Sequence, residues 1–185
     1  MVTPFRDGKL DESALRKLVD WHVEQGSDGL VVLGTTGEAA TLSDAERAEV
    51  LECALERAAG RLPVIAGTGT NCTRRTIEHT RAAEAAGADG ALVVTPYYNR
   101  PTQAGLIAHY RAVAEAASLP IALYNVPART GCDLLPATAA AIAAACPNVV
   151  AIKEASSSPE RAEALLAEGA LAVLIGEDGL LAHLA

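Results

Sequence analysis

Three lysines occur in the chain, and one of them, Lys153, closes the apolar run Val149-Val-Ala-Ile-Lys153. An ammonium at the end of such a run would pay desolvation, which favours the neutral amine. A neutral amine can attack a ketone and form a Schiff base. The competing reading is an ion pair with the adjacent Glu154 or with another carboxylate. Lys9 and Lys17 fall in a polar turn and on an amphipathic helix and invite no such reading.

Hydroxyl groups stand close behind. Tyr97 and Tyr98 follow Val93-Val-Thr-Pro96, and Tyr124 ends Ile121-Ala-Leu-Tyr124. A tyrosine hydroxyl in a dry site can both donate and accept protons, whereas its ring can equally serve as packing. Tyr110 falls inside a helical stretch and is assigned to packing. The turn Gly34-Thr35-Thr36-Gly37-Glu38 offers two hydroxyls and several backbone N–H groups, enough to hold a carboxylate or relay a proton; an ordinary strand-to-helix loop would look the same. Arg129 in Val126-Pro-Ala-Arg129-Thr-Gly131 is either a bidentate carboxylate clamp or a solvated loop charge. Gly67-Thr-Gly-Thr-Asn-Cys72 has two glycines of a dinucleotide fingerprint and lacks the third.

These residues need elements to hold them. Short β-branched runs alternate with Ala-rich stretches whose charges recur at helical spacing, a βα repeat. The strands are expected at Leu30–Leu33, Val64–Ala66, Ala91–Thr95, Ile121–Tyr124, Val149–Lys153 and Ala172–Ile175, with Val2–Thr3 as the remnant of an earlier one. Helices are expected at Glu12–Gln25, Asp44–Ala59, Arg74–Ala86, Gln103–Ala117, Ala137–Ala145 and Pro159–Ala167. Ser43-Asp-Ala-Glu46 reads as a capping box, Ser158 as a cap before Pro159, and Gly26, Gly60, Gly87 and Gly169 as helix ends. The stretch 180–185 has a helix-like pattern with no breaker. Periodicity allows a (β/α)₈ barrel or an open doubly wound sheet, and a barrel requires the chain to be incomplete. Under the barrel reading Thr35, Thr36, Tyr97, Tyr98, Tyr124, Arg129 and Lys153 share the C-terminal face of the strands.

Composition narrows the function. The 185 residues form one soluble domain on this reading, with a net charge of −8 that argues against a nucleic-acid or anionic-membrane partner. No apolar run reaches the roughly 18 residues of a membrane span, and the start lacks a signal-peptide core, so a cytoplasmic protein is expected. The cysteines at 53, 72, 132 and 146 form no CxxC or zinc-ligand set, and His22, His79, His109 and His183 share no metal spacing. No metal or other cofactor is expected, and the histidines are read as helix-surface or packing residues.

Five motifs, Gly34-Thr-Thr-Gly-Glu38, Ala66-Gly-Thr-Gly69, Thr95-Pro-Tyr-Tyr-Asn-Arg-Pro101, Tyr124-Asn-Val-Pro-Ala-Arg-Thr-Gly131 and Ile152-Lys-Glu-Ala155, together make the sequence resemble the dihydrodipicolinate synthase family nearly end to end. The resemblance implies an incomplete (β/α)₈ TIM barrel, lacking most of the first strand, the eighth strand and the C-terminal helices. It also implies a condensation of pyruvate with L-aspartate-4-semialdehyde, the first committed step of lysine and diaminopimelate biosynthesis. In that scheme Lys153 forms the imine, and Tyr124 shuttles protons with Thr35 and Tyr98, the latter supplied by a neighbouring subunit of a homo-oligomer, a dimer of dimers in full-length members. Thr36 holds the pyruvate carboxylate and Arg129 that of the aldehyde. Asn71 and Tyr97 match the lysine-inhibitor site of regulated relatives, but Arg75, Asp44 and Arg47 replace its acidic and histidine positions, so weak or no lysine inhibition is expected. The alternatives are another pyruvate-dependent aldolase, of the sialic-acid or keto-sugar-acid type, and a non-catalytic remnant.

Overall fold

A computed structural model describes residues 1–177. After a two-rung antiparallel hairpin, β1 (Phe5–Arg6) and β2 (Lys9–Leu10), helices and strands alternate. The helices are α1 (Glu12–Glu24), α2 (Asp44–Ala58), α3 (Thr73–Ala86), α4 (Gln103–Ala114), a single turn α5 (Pro127–Thr130), α6 (Pro136–Ala145) and α7 (Pro159–Glu168). The strands are β3 (Leu30–Val32), β4 (Val64–Gly67), β5 (Gly90–Val94), β6 (Ile121–Asn125), β7 (Val149–Glu154) and β8 (Ala172–Ile175).

These six strands form one parallel sheet in the order β3-β4-β5-β6-β7-β8. That order settles the choice left open by periodicity, because a doubly wound sheet reverses direction at a switch point and this one never does. The two faces agree. One carries the large cluster shared with the helices, including Leu15, Val19, Val50, Leu106, Tyr110 and Ile142. The other is built from strands and strand ends alone: Leu92, Ala122, Tyr124, Val126, Ala151 and Ala155, with Val31, Ile65 and Val94 against them. Helices on one face only, over strands in sequential order, make the wall of a (β/α) barrel.

Local chemistry fixes the element ends. The Ser43 hydroxyl accepts from the Glu46 amide while the Glu46 carboxylate accepts from the Ser43 amide, a complete capping box worth about 1 kcal/mol. The Ser158 hydroxyl accepts from the Arg161 amide at the start of α7, a single cap, and Gly26, Gly60, Gly87 and Gly169 all take positive φ at or just past helix ends. Tyr110 is fully buried and its hydroxyl donates to the Val93 carbonyl at 3.1 Å, in keeping with its packing role.

Two expectations differ. Val2–Thr3 forms no strand; the segment is tied to the sheet by the terminal amine of Met1 donating to Val31 O at 2.8 Å and by Thr3 Oγ1 donating to Gly37 O at 2.8 Å. Pro4 follows without an N–H, so no ladder can run through it. The chain then turns back as the Phe5–Leu10 hairpin, whose two-residue arms are too short for periodicity to reveal. The helical pattern at 180–185, with His183, lies outside the described residues.

Candidate active site

Tyr124 and Lys153 are direct partners on the β6/β7 ladder, near its C-terminal end. Tyr124 is buried, Lys153 is half-buried, and the Lys153 Nζ lies 4.7 Å from the centroid of the tyrosine ring. The ring face thus offers the lysine a cation–π partner. Gly176, just after β8, leaves the room this needs: a Cβ there would stand 3.0 Å from Lys153 Cε and 2.7 Å from Ala155 Cβ.

Among the described residues Lys153 makes no ion pair with a carboxylate. Successive strand residues face opposite sides, so Glu154 points away from Lys153 into the helix-covered core. Its carboxylate is fully buried and accepts from Asn125 Nδ2 at 3.2 and 3.1 Å and from the Ser156 amide at 2.8 Å, with Arg161 Nε 3.6 Å away. Arg161 also donates to Asp133 and to the Leu134 carbonyl, and Asn125 Oδ1 accepts from the Leu134 amide. Sequence reasoning missed this cluster. The available signal was a pair of polar residues, Asn125 and Glu154, at core-facing positions of two apolar strands.

The turn after β3 is held in shape by Gly37 N donating to Gly34 O and Glu38 N to Thr35 O. Leu33 and Glu38 both take positive φ, at 58° and 54°, a left-handed conformation that costs a non-glycine residue about 1 kcal/mol. Gly67 accounts for part of this geometry: a Cβ there would meet Leu33 O at 2.0 Å. A Cβ at Gly69 would meet Val94 N at 2.3 Å. The two glycines of Gly67-Thr-Gly69 therefore permit close approach of β4 to the ends of β3 and β5, which removes the reason to read them as a phosphate loop.

A cavity of about 460 Å³ opens at this end of the sheet. Thr35, Tyr124 and Arg129 line it, the last from the exposed turn α5. Lys153 does not line it; its Nζ lies over the Tyr124 ring, which does. Thr36 sits exposed in the same turn as Thr35 but does not line the cavity, and neither does Tyr98. Tyr98 has φ 72°, is 89% exposed, and is fixed by its amide donating to Thr130 O at 3.1 Å. Three of the six candidates thus line the cavity, Lys153 touches one of them from outside the lining, and Thr36 and Tyr98 stand apart.

The far side of the cavity carries Arg47, Arg75 and His79, with Asp44 beside the last two. Arg47 donates to the Ala39 and Gly67 carbonyls, and Arg75 and His79 both meet Asp44 Oδ1, at 2.9 and 3.2 Å. The His79 contact, then the Arg75 charge, hold Asp44 below the usual carboxylate range. Burial, then the Arg47 charge, push His79 down despite Asp44. His79 is therefore a cavity residue rather than a helix-surface one. Among the described residues no group of three His, Cys, Asp or Glu side chains is placed to hold a metal, and no helix is long and apolar enough to cross a membrane.

The chain is similar in sequence and in fold to known proteins. A family model described as the dihydrodipicolinate synthetase family matches residues 1–185. The 4-hydroxy-tetrahydrodipicolinate synthase of Stenotrophomonas maltophilia is 56% identical over 99% of this chain and 62% of its own length, and that of Persephonella marina 47% over 97% and 62%. The chain thus spans about 62% of the length of these curated relatives. The crystal structure of the chloride-inhibited dihydrodipicolinate synthase from Acinetobacter baumannii complexed with pyruvate superposes with a TM-score of 0.96 at 51% identity, covering all of this chain and 64% of that one. A structure described as the first monomeric dihydrodipicolinate synthase variant gives 0.95 at 44%, over 97% and 62%. With the motifs, the barrel wall and the lysine–tyrosine rung all in agreement, the chain belongs to the dihydrodipicolinate synthetase family.

Proposed function

We propose that this chain carries the imine-forming part of a 4-hydroxy-tetrahydrodipicolinate synthase, which condenses pyruvate with L-aspartate-4-semialdehyde in lysine and diaminopimelate biosynthesis. The observation that carries the reading is the Tyr124–Lys153 rung at the cavity, with the amine over the ring and no carboxylate paired to it among the described residues.

In this reading the Lys153 amine adds to the pyruvate ketone, and loss of water leaves the imine. Removal of a methyl proton gives the enamine, whose carbon attacks the aldehyde of the second substrate. Tyr124 carries protons to and from the carbinolamine and the enamine, with Thr35 as the next hydroxyl in the relay. Thr36 holds the pyruvate carboxylate from the Gly34–Glu38 turn, and Arg129 receives the carboxylate of the aldehyde substrate. Each step needs an amine, hydroxyls and an arginine, so no cofactor is invoked.

Tyr98 belongs to the relay of a neighbouring copy. Its 89% exposure and its fixed backbone suit a side chain that projects into a second subunit, and activity is then tied to a homo-oligomer. We place the enzyme in the cytoplasm, where both substrates would be met.

The test is intact mass and peptide mapping after pyruvate and borohydride. The expected result is one reduced pyruvate adduct on Lys153, absent in Lys153→Ala. A folded chain that gives no adduct, or an equal one in Lys153→Ala, overturns the proposal.

A further inference from the structure

The β6/β7 ladder is irregular just before the site. Ile121 pairs with Val149 but Ala122 pairs with Ala151, so Val150 is an extra residue on β7 and is left exposed. Past a bulge, register must be re-established, and a slip of one residue would turn Lys153 to the helix face. The rung that follows Tyr124–Lys153 is Asn125–Glu154, and its two side chains meet on the opposite face. Both residues are fully buried.

The contacts of that rung reach three further segments. The Ser156 amide ties Glu154 to the turn after its own strand, Arg161 brings α7, and the Leu134 amide on Asn125 Oδ1 brings the segment before α6. Arg161 itself is only 13% exposed and bridges Glu154 and Asp133. A carboxylate taken wholly out of water needs this charge and these donors, and it holds its geometry tightly because the alternatives are unpaired groups.

We propose that Glu154 is a positioning residue: with Asn125, Ser156 and Arg161 it pins β6 to β7 after the Val150 bulge and so keeps Lys153 over the Tyr124 ring. Glu154 touches no substrate in this scheme. It acts through the lysine next to it, and the proposal rests on the imine reading only for its effect on chemistry.

Two readouts on the 185-residue chain separate the inference from that reading. The first is the rate of borohydride-trapped pyruvate adduct on Lys153 per folded molecule, with the folded fraction taken from circular dichroism. The second needs no pyruvate: the rate of reductive methylation of Lys153 relative to the exposed Lys9 and Lys17, by peptide mapping. Glu154→Gln keeps the shape but presents Asn125 with one acceptor instead of two; Glu154→Asp keeps the charge and shortens the reach. Each folded variant is expected to trap pyruvate on the order of tenfold to a hundredfold more slowly, and to lose the protection of Lys153 against methylation. A merely stabilising residue would change the folded fraction and leave both rates per folded molecule unchanged, which overturns the proposal. If the unaltered chain traps no pyruvate, the imine reading fails, and the methylation comparison still decides whether Glu154 positions Lys153. If Glu154→Gln does not fold, Glu154→Asp and Asn125→Ser carry both measurements; wild-type rates in these variants overturn the proposal equally.

Discussion

The Lys153 ammonium and the Tyr124 ring, 4.7 Å apart, are held by paired positions on adjacent strands. The backbone ladder thereby sets the distance between the proposed nucleophile and the proposed proton carrier, and both side chains stand on strands. Tyr124→Phe keeps the ring under the amine and removes the hydroxyl alone. The fold and slow capture of pyruvate are expected to survive, while the rate of imine formation falls by about a hundredfold. Stopped trapping at short times measures it, and an unchanged rate would leave Tyr124 as packing.

Arg129 reaches the cavity from α5, away from the imine rung. Arg129→Ala is expected to raise the KM for the aldehyde roughly tenfold, the loss of one charge-assisted contact, with little change in pyruvate capture. The measurement belongs in a full-length homologue carrying these residues. Impaired pyruvate capture with normal aldehyde use would reverse the assignment.

Gly176 is confined by Lys153 and Ala155. Gly176→Val is expected to displace the lysine side chain and depress pyruvate capture by at least about tenfold, since reacting groups tolerate little misplacement. Comparison of trapped mass in folded samples tests this, and equal capture would mean that the lysine has another resting place.

His109 gives a pH-dependent stability. Its Nδ1 lies 2.9 Å from Thr73 Oγ1, its Nε2 is buried without a partner, and burial pulls its pKa down to about 4. In the unfolded chain the ring titrates near about 6.5. The stabilisation is therefore complete above about pH 6.5 and is lost as pH falls toward about 4, because the unfolded state takes up the proton first. Urea unfolding is expected to show about 2 kcal/mol less stability at about pH 5 than at about pH 7.5, and His109→Gln to remove that difference.

Arg47 and Arg75 give the far side of the cavity a positive character that opposes a cationic ligand. A full-length homologue with both arginines is expected to show weak or no inhibition by lysine, and Arg75→Glu to increase lysine affinity. Potent inhibition of the unaltered enzyme would contradict the charge argument.

Much of this was legible in the sequence because it is local. Ser43 and Glu46 announce a helix start three residues apart, and Lys153 ends a run that could only be a buried strand. Pairing order is not local, so periodicity could not separate the barrel from the doubly wound sheet; the family motifs pointed to the barrel, and the sequential order of β3 through β8 agrees. Glu154 misled for a similar reason: adjacency to Lys153 suggests an ion pair, whereas strand alternation places the two on opposite faces. The roles of Gly67 and Gly69 depend on how near β3 and β5 come, which no spacing within β4 records.

The sequential strand order also bears on synthesis. Every strand from β4 to β8 pairs with the strand that precedes it in the chain, so its partner has already left the ribosome. Loop closure stays short at each addition, which favours rapid growth of the wall from its first hairpin-free pair, β3 and β4. Because the lysine arrives on β7, after the tyrosine strand has already joined its neighbour β5, Lys153 is delivered to a sheet edge that already carries Tyr124.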